Sequence, residues 1–195
     1  MANKVEFGFS TVKYAIYDAT NNTYGTPVAF PGGVSLSLTR EGGDSSDFYA
    51  DNGVYYSFSG TNGGYSADLE MAHIPESVRV ALLGEVFDET AGMYIEVTDP
   101  QDIQFALICE RQGDQNPEAY CFYNCKASRI EMNANTKNDS PDVDTETLNI
   151  RIADQKFTVA GTERGVVQSH IERTSENTAK YNAFLAAVVT PSTGA

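Results

Sequence analysis

A mainly β chain is predicted: a two-layer β-sandwich or partial barrel with one packed α-helix and a second helix at the C-terminus. Three observations predict it. Polar and apolar residues alternate with period two in separated segments, turn-forming residues punctuate those segments at short intervals, and helical periodicity occurs in only two places.

In chain order, Asn21-Asn22 marks a turn between Tyr17 and Tyr24, and Pro31-Gly32-Gly33 marks another before Val34. Val34, Leu36 and Leu38 then alternate with Ser35, Ser37 and Thr39, the pattern of a strand with one buried and one wet face. Residues 41–51 are acidic and rich in glycine and serine. They give way to the aromatic run of Phe48, Tyr49, Tyr55, Tyr56 and Phe58, and neither stretch assigns itself to an element. After Asn62-Gly63-Gly64, Tyr65, Ala67, Leu69 and Met71 interleave with Ser66, Asp68 and Glu70 in a second half-wet strand.

Pro75 suits a first helical position, and Ile74, Val78 and Leu82 share a face before Gly84 stops the run. Residues 105–109 and 120–123 are apolar or aromatic on both faces, which requires cover from a second layer or a neighbouring subunit. Residues 133–146 form a polar loop crowded with Asp139, Asp142, Asp144 and Glu146, after which Leu148, Ile150 and Ile152 alternate again. Thr174 or Ser175 caps a last helix that presents Tyr181, Phe184, Leu185 and Val188 before Pro191 ends it.

Composition narrows the function. The 195 residues are 41% hydrophobic, 21% charged and 11% aromatic, the balance of a globular protein expected to form one domain over residues 1–195. Lys and Arg number 13 against 27 Asp and Glu, and the resulting net charge of -14 repels a phosphate backbone. Binding of nucleic acid through a basic face is therefore excluded. The first residues lack the apolar centre of a secretory signal and no stretch reaches the ~18 apolar residues of a membrane helix, so a soluble, cytoplasmically made chain without membrane contact is expected.

The residues of most catalytic chemistries are missing. His73 and His170 are the only histidines, and no serine sits in a G-x-S-x-G elbow. Cys121 and Cys125, four apart on a strand, are expected to face the same way, yet no second pair completes a zinc site, so Cys109, Cys121 and Cys125 read as buried structural thiols. Gly63-Gly64 lacks the lysine of a phosphate-binding loop, and the acidic cluster of residues 139–146 lacks the order and central glycine of an EF-hand. No enzyme activity, no cofactor and no metal are expected.

Several strings taken together resemble the major tail proteins, or tail-tube proteins, of long-tailed non-contractile bacteriophages. They are Tyr14-Ala15-Ile16-Tyr17, Tyr24-Gly25, Gly33-Val34-Ser35-Leu36-Ser37-Leu38, Phe48-Tyr49-Ala50-Asp51-Asn52, Gly64-Tyr65, Asp68-Leu69-Glu70-Met71-Ala72, Leu82-Leu83-Gly84, and Tyr181 with Phe184-Leu185. No single string is diagnostic; their order and spacing over about residues 3–189 carry the resemblance. It implies a fold like that of phage tail tubes and type VI secretion tubes. Hexameric rings would stack into a virion tail tube around a tape-measure protein, bounded by tail-tip and tail-terminator proteins, assembled in the host cytoplasm and later conducting double-stranded DNA.

Within that resemblance, residues 41–59 become an arm reaching a neighbouring subunit, with Phe48, Tyr49, Tyr55, Tyr56 and Phe58 as contacts between copies. Ser66, Asp68 and Glu70 become lumen-facing residues, an acidic wall to which DNA does not adhere. The alternatives keep Phe48 and Tyr55 in the core and Ser66, Asp68 and Glu70 on the outer surface. The rival function is a β-sandwich module binding carbohydrate or a cell surface, with Tyr49, Tyr55 and Tyr56 stacking on sugars and the acidic loop holding calcium. A glycoside hydrolase built on paired carboxylates is a weaker rival.

Overall fold

The computed structural model describes residues 3–132 and 144–191. Most of the polar loop expected at 133–146 lies outside the described residues. The chain enters through the long strand β1 (Glu6–Asp18), the short β2 (Thr23–Tyr24) and β3 (Val28–Ala29), and β4 (Gly33–Glu41). A hairpin of β5 (Ser46–Ala50) and β6 (Gly53–Phe58) stands between β4 and β7 (Gly64–Met71). The first helix is one turn of α1 (Glu76–Val78) continued by a π turn over Arg79–Leu83, and a second hairpin follows, β8 (Val86–Asp88) with β9 (Met93–Ile95). Then come β10 (Phe105–Gly113), β11 (Glu118–Met132), β12 (Glu146–Ala153), the hairpin of β13 (Gln155–Val159) and β14 (Thr162–Val166), β15 (Gln168–Glu172), and helix α2 (Thr178–Ala186).

One antiparallel sheet organises these pieces in the order β2-β1-β10-β11-β12-β7-β4, with β3 added to β1 and β15 to β11. Its two ends curl towards each other. Phe30 donates its N–H to the Val12 carbonyl at 2.8 Å, and a Cβ on Gly33 would lie 2.8 Å from both Phe9 and Val12. Only glycine lets β4 approach β1 so closely. The result is the predicted partial barrel, filled by Leu69, Met71, Phe105, Leu107, Phe122, Leu148, Ile150 and Ile152. Ile74, Val78 and Leu82 of the first helical segment close the core as the sequence predicts, and Gly84 ends it in the left-handed conformation.

A second apolar layer lies on the other side of β10 and β11. There Ala106, Ile108, Ala119, Cys121 and Tyr123 pack against Tyr181 and Phe184 of α2. Asn177, not Thr174 or Ser175, precedes this helix; the Thr174 hydroxyl instead accepts the Asn177 N–H at 3.2 Å. Lys13 donates to the Leu185 carbonyl at 2.8 Å, a cation where the helix dipole favours one. Tyr123 donates to the Val189 carbonyl at 2.7 Å and pins the segment beyond the helix.

The expectation that Cys121 and Cys125 face the same way is corrected. Cys121 lies in the α2 layer and Cys125 in the barrel core, because β11 bulges where Leu107 pairs with Phe122 but Phe105 pairs with Cys125. One extra residue reverses the alternation. All three thiols are free and buried, and burial pushes Cys109 and Cys121 up to about 12 from 9.0. Glu146 is also corrected: it is no loop residue but the first residue of β12. It accepts the Ile74 N–H and the Arg79 guanidinium, each at 2.5 Å, with His73 Nδ1 at 3.2 Å, and so ties the helical segment to the sheet.

Two predictions follow from these buried groups. A thiol raised from 9.0 to about 12 contributes stability that is complete below pH 9 and lost as pH rises towards 12, at up to about 1.4 kcal/mol per pH unit for each thiol. Urea unfolding should therefore show falling stability between pH 9 and 10. The triple Cys→Ala variant, less stable at pH 8, should show a flatter profile over that interval. Glu146→Ala strands the Ile74 N–H and the Arg79 charge and should cost about 2–3 kcal/mol, with Glu146→Gln recovering part of it by restoring an acceptor.

Candidate functional site

Beyond the cover of α2, the sheet turns a bare polar face outward over β4, β7 and β12. The register sets Ser35, Glu70 and Thr147 side by side, then Ser37, Asp68 and Asn149, then Thr39, Ser66 and Arg151. Glu131 of β11 continues the face opposite Thr147. Ser66, Asp68 and Glu70 thus occupy one of the two inner strands of a wall four strands wide. Its chemistry is small hydroxyls and carboxylates, with Arg151 at one end lying 3.8 Å from Glu41.

The carboxylates are held in place. Glu70 accepts the Thr145 hydroxyl at 2.7 Å and the Ser35 hydroxyl at 2.8 Å, and these bonds lower its pKa. Asn149 donates to Glu131 at 3.3 Å. The sequence alone assigns only Ser66, Asp68 and Glu70 to a common function. Ser35, Ser37, Thr147 and Asn149 join them through strand register, which no local pattern reveals.

Both edges of this wall lack a strand partner among the described residues. β4 pairs with β7 alone, and β11 beyond Cys125 pairs only with β12, because β10 begins at Phe105 opposite Cys125. The edge position also corrects the expected burial of β4. Leu38, on its core-facing side, is 40% exposed, and Val34, at the register shift between Gly33 and Ser35, is 47% exposed.

The arm region is a two-stranded ribbon, not a loop. Phe48 pairs with Tyr56 and Tyr49 with Val54, while Asp51 and Asn52 take positive φ at the tip. The alternative that buries Phe48 and Tyr55 fails, since they are 55% and 73% exposed. Tyr49, Tyr56 and Phe58 are exposed as well, so the ribbon is aromatic on both faces. Its neck is built from glycine: a Cβ on Gly42 would lie 1.9 Å from the Thr61 carbonyl oxygen, and one on Gly60 would lie 2.6 Å from that of Gly43. Tyr49, Tyr55 and Tyr56 all stand on this two-stranded ribbon, exposed to solvent.

Sequence reasoning missed the β8–β9 hairpin. Val86, Phe87, Met93, Tyr94 and Ile95 are all exposed, and the rings of Phe87 and Tyr94 meet at a tilt of 44° with centroids 4.7 Å apart. The signal was present in the turn Asp88-Glu89-Thr90-Ala91-Gly92 between the apolar pair Val86-Phe87 and the triplet Met93-Tyr94-Ile95, where Asp88 caps the turn through the Thr90 N–H and Gly92 adopts φ 66. No group of three or more His, Cys, Asp or Glu is gathered for a metal among the described residues.

Because the arm aromatics touch little of the barrel, Phe48→Ser and Tyr55→Ser should each change unfolding stability of the isolated chain by no more than about 0.5 kcal/mol. Chemical denaturation of purified monomer checks this.

Comparison with known proteins accords with this architecture. No curated protein sequence matches the chain. A chain in the cryo-electron microscopy structure of the anti-feeding prophage baseplate, sixfold symmetrised, superposes with a TM-score of 0.50 at 14% identity. The match covers 88% of this chain and 97% of that one, a likeness of fold. The sequence profile of phage tail tube proteins matches residues 31–185, from just before β4 to the end of α2. That span takes in the polar wall, both projecting ribbons and α2, and is well over half of the chain, so the chain belongs to the phage tail tube protein family, a structural component of phage tails.

Proposed function

We propose that the protein is the repeating subunit of a phage tail tube, six copies closing into a ring and rings stacking into a hollow shaft. The carrying observation is the polar wall with an unpaired strand edge on each side. β4 of one copy pairs with the free part of β11 in the next, which hides both edges and continues the polar face around the ring. Four strands from each of six copies make a wall of about 24 strands. At ~4.8 Å per strand its circumference is about 115 Å, and it measures about 37 Å across between backbones, more once the strands tilt.

Ser66, Asp68 and Glu70 face the lumen in this arrangement, with Ser35, Ser37, Thr147 and Asn149 beside them. Such a wall repels phosphate, and a subunit charge of -14 repeated around a ring strengthens the effect. The tape-measure protein occupies the lumen during assembly, and double-stranded DNA passes through it afterwards. The β5–β6 ribbon, through Phe48, Tyr49, Tyr55, Tyr56 and Phe58, reaches the neighbouring ring. Repulsion between rings is screened beyond about 8 Å at physiological salt, so buried aromatic contact wins at short range.

Negative-stain electron microscopy over a concentration series tests the proposal. Wild-type protein should give rings and tubes of uniform width. Deleting residues 45–59 joins Asp44 to Gly60 across a neck already closed by the Thr61 N–H to Gly43 carbonyl bond at 3.0 Å, and Asp-Gly is a favoured two-residue turn. The deletion should leave folded rings that do not stack. In assembled tails, replacing Asp68 and Glu70 with lysine should slow DNA release. Protein that stays monomeric at every concentration and when supplied with tail-tip complex overturns the tube, and tubes formed by the deletion variant overturn the role of the ribbon.

A further inference from the structure

We propose that the β8–β9 hairpin is a clasp between adjacent copies, seated on the uncovered core-side face of β4 in the next subunit. The inference rests on the ring reading above and adds to it a second contact, on the outer side of the seam.

Three observations converge. First, the hairpin is apolar on both faces: Val86 and Ile95 share one side with Met93, and Phe87 and Tyr94 share the other. A two-stranded ribbon is marginal in water, and one exposing five large apolar side chains requires a covering surface. Second, β4 offers a surface in matching need. Leu38 points to the same side as Leu36, which packs against the core, yet stands 40% exposed at the edge of the sheet, and Val34, at the register shift that opens the strand, is exposed beside it.

Third, the hairpin is rooted at the seam. Glu96, the residue after β9, pairs with Arg129 at 3.0 Å, and Glu96, Val97 and Leu83 line a small cavity against Ala127 and Ile130 on the free part of β11. When β4 of one copy lies along that edge, its Leu38 comes to the side of the wall occupied by this root. Charge agrees: Asp88, Glu89 and Glu96 surround the clasp, and Arg40, which has no ion pair among the described residues, sits on β4 two residues beyond Leu38.

Cross-linking in intact assemblies tests the clasp. Leu38→Cys with Ile95→Cys in one chain places one thiol on each side of the contact, and both positions are exposed in the monomer, so folding is unaffected. The native thiols are buried and stay silent to a flexible bis-maleimide. Ser37→Cys with Ser128→Cys reports the β4–β11 seam itself. The clasp predicts a ladder of covalent multimers from both pairs, with each single-cysteine variant giving no ladder beyond dimer. A ladder from the seam pair alone overturns the clasp and keeps the ring. No ladder from either pair overturns ring and clasp together. As a second readout, Phe87→Glu with Met93→Glu should lower ring yield at least tenfold at a concentration where wild type assembles; unchanged yield overturns the clasp.

Discussion

The architecture depends on how strand β11 manages its two faces. Over its first half it is buried on both sides, between the barrel core and the layer under α2; over its second half it faces the core on one side only. Two register shifts make this possible, one between Phe122 and Cys125 and one between Ala127 and Ile130. Each inserts a residue, bends the strand and resets which side chains point inward. Without them, the alternation that buries Phe122 would aim Cys125 and Ala127 away from the core.

The same device separates the two outward surfaces. Where β11 pairs with β15 and β10, helix α2 covers the sheet and Tyr123 ties the chain end to it through Val189. Where β11 pairs with β12, no helix covers that face, and the register with β7 and β4 gathers hydroxyls and carboxylates into a wall. The wall is polar enough to stand in water, but its edges offer unpaired N–H and C=O groups that favour pairing with another copy. The two ribbons compound the demand, since each shows apolar rings on both faces. In the ring proposed above, neighbouring copies would cover these edges and apolar rings and so add to the stability of each.

Both ribbons are held firmly at their roots. The ribbon between β4 and β7 springs from a neck too tight for any side chain, so its base is fixed by backbone contact while its aromatic tip stays free of the barrel. The helical segment that carries β8 and β9 is anchored at Glu146, which meets both a main-chain N–H and the Arg79 guanidinium. A projecting hairpin held at its root loses less conformational freedom on docking, and so retains more of its contact energy as affinity.

The alternation of residues 65–71 and 148–152, the Pro75 helix start and the Tyr181–Phe184 spacing determined on their own which segments form strands or helices and which face is buried, because those signals are local and repeat at the period of the element. Tertiary structure alone decided the rest. Only long-range pairing brings Ser35, Glu70 and Thr147 into one row, since they lie on three strands separated in sequence. Only the bulge in β11 separates Cys121 from Cys125, because two-residue periodicity fails wherever one strand gains a residue on its partner. And Val34 and Leu38, buried by their pattern, are exposed by their position: a strand shows in its sequence which face is apolar, while its place at the edge of a sheet depends on what the remainder of the chain leaves uncovered.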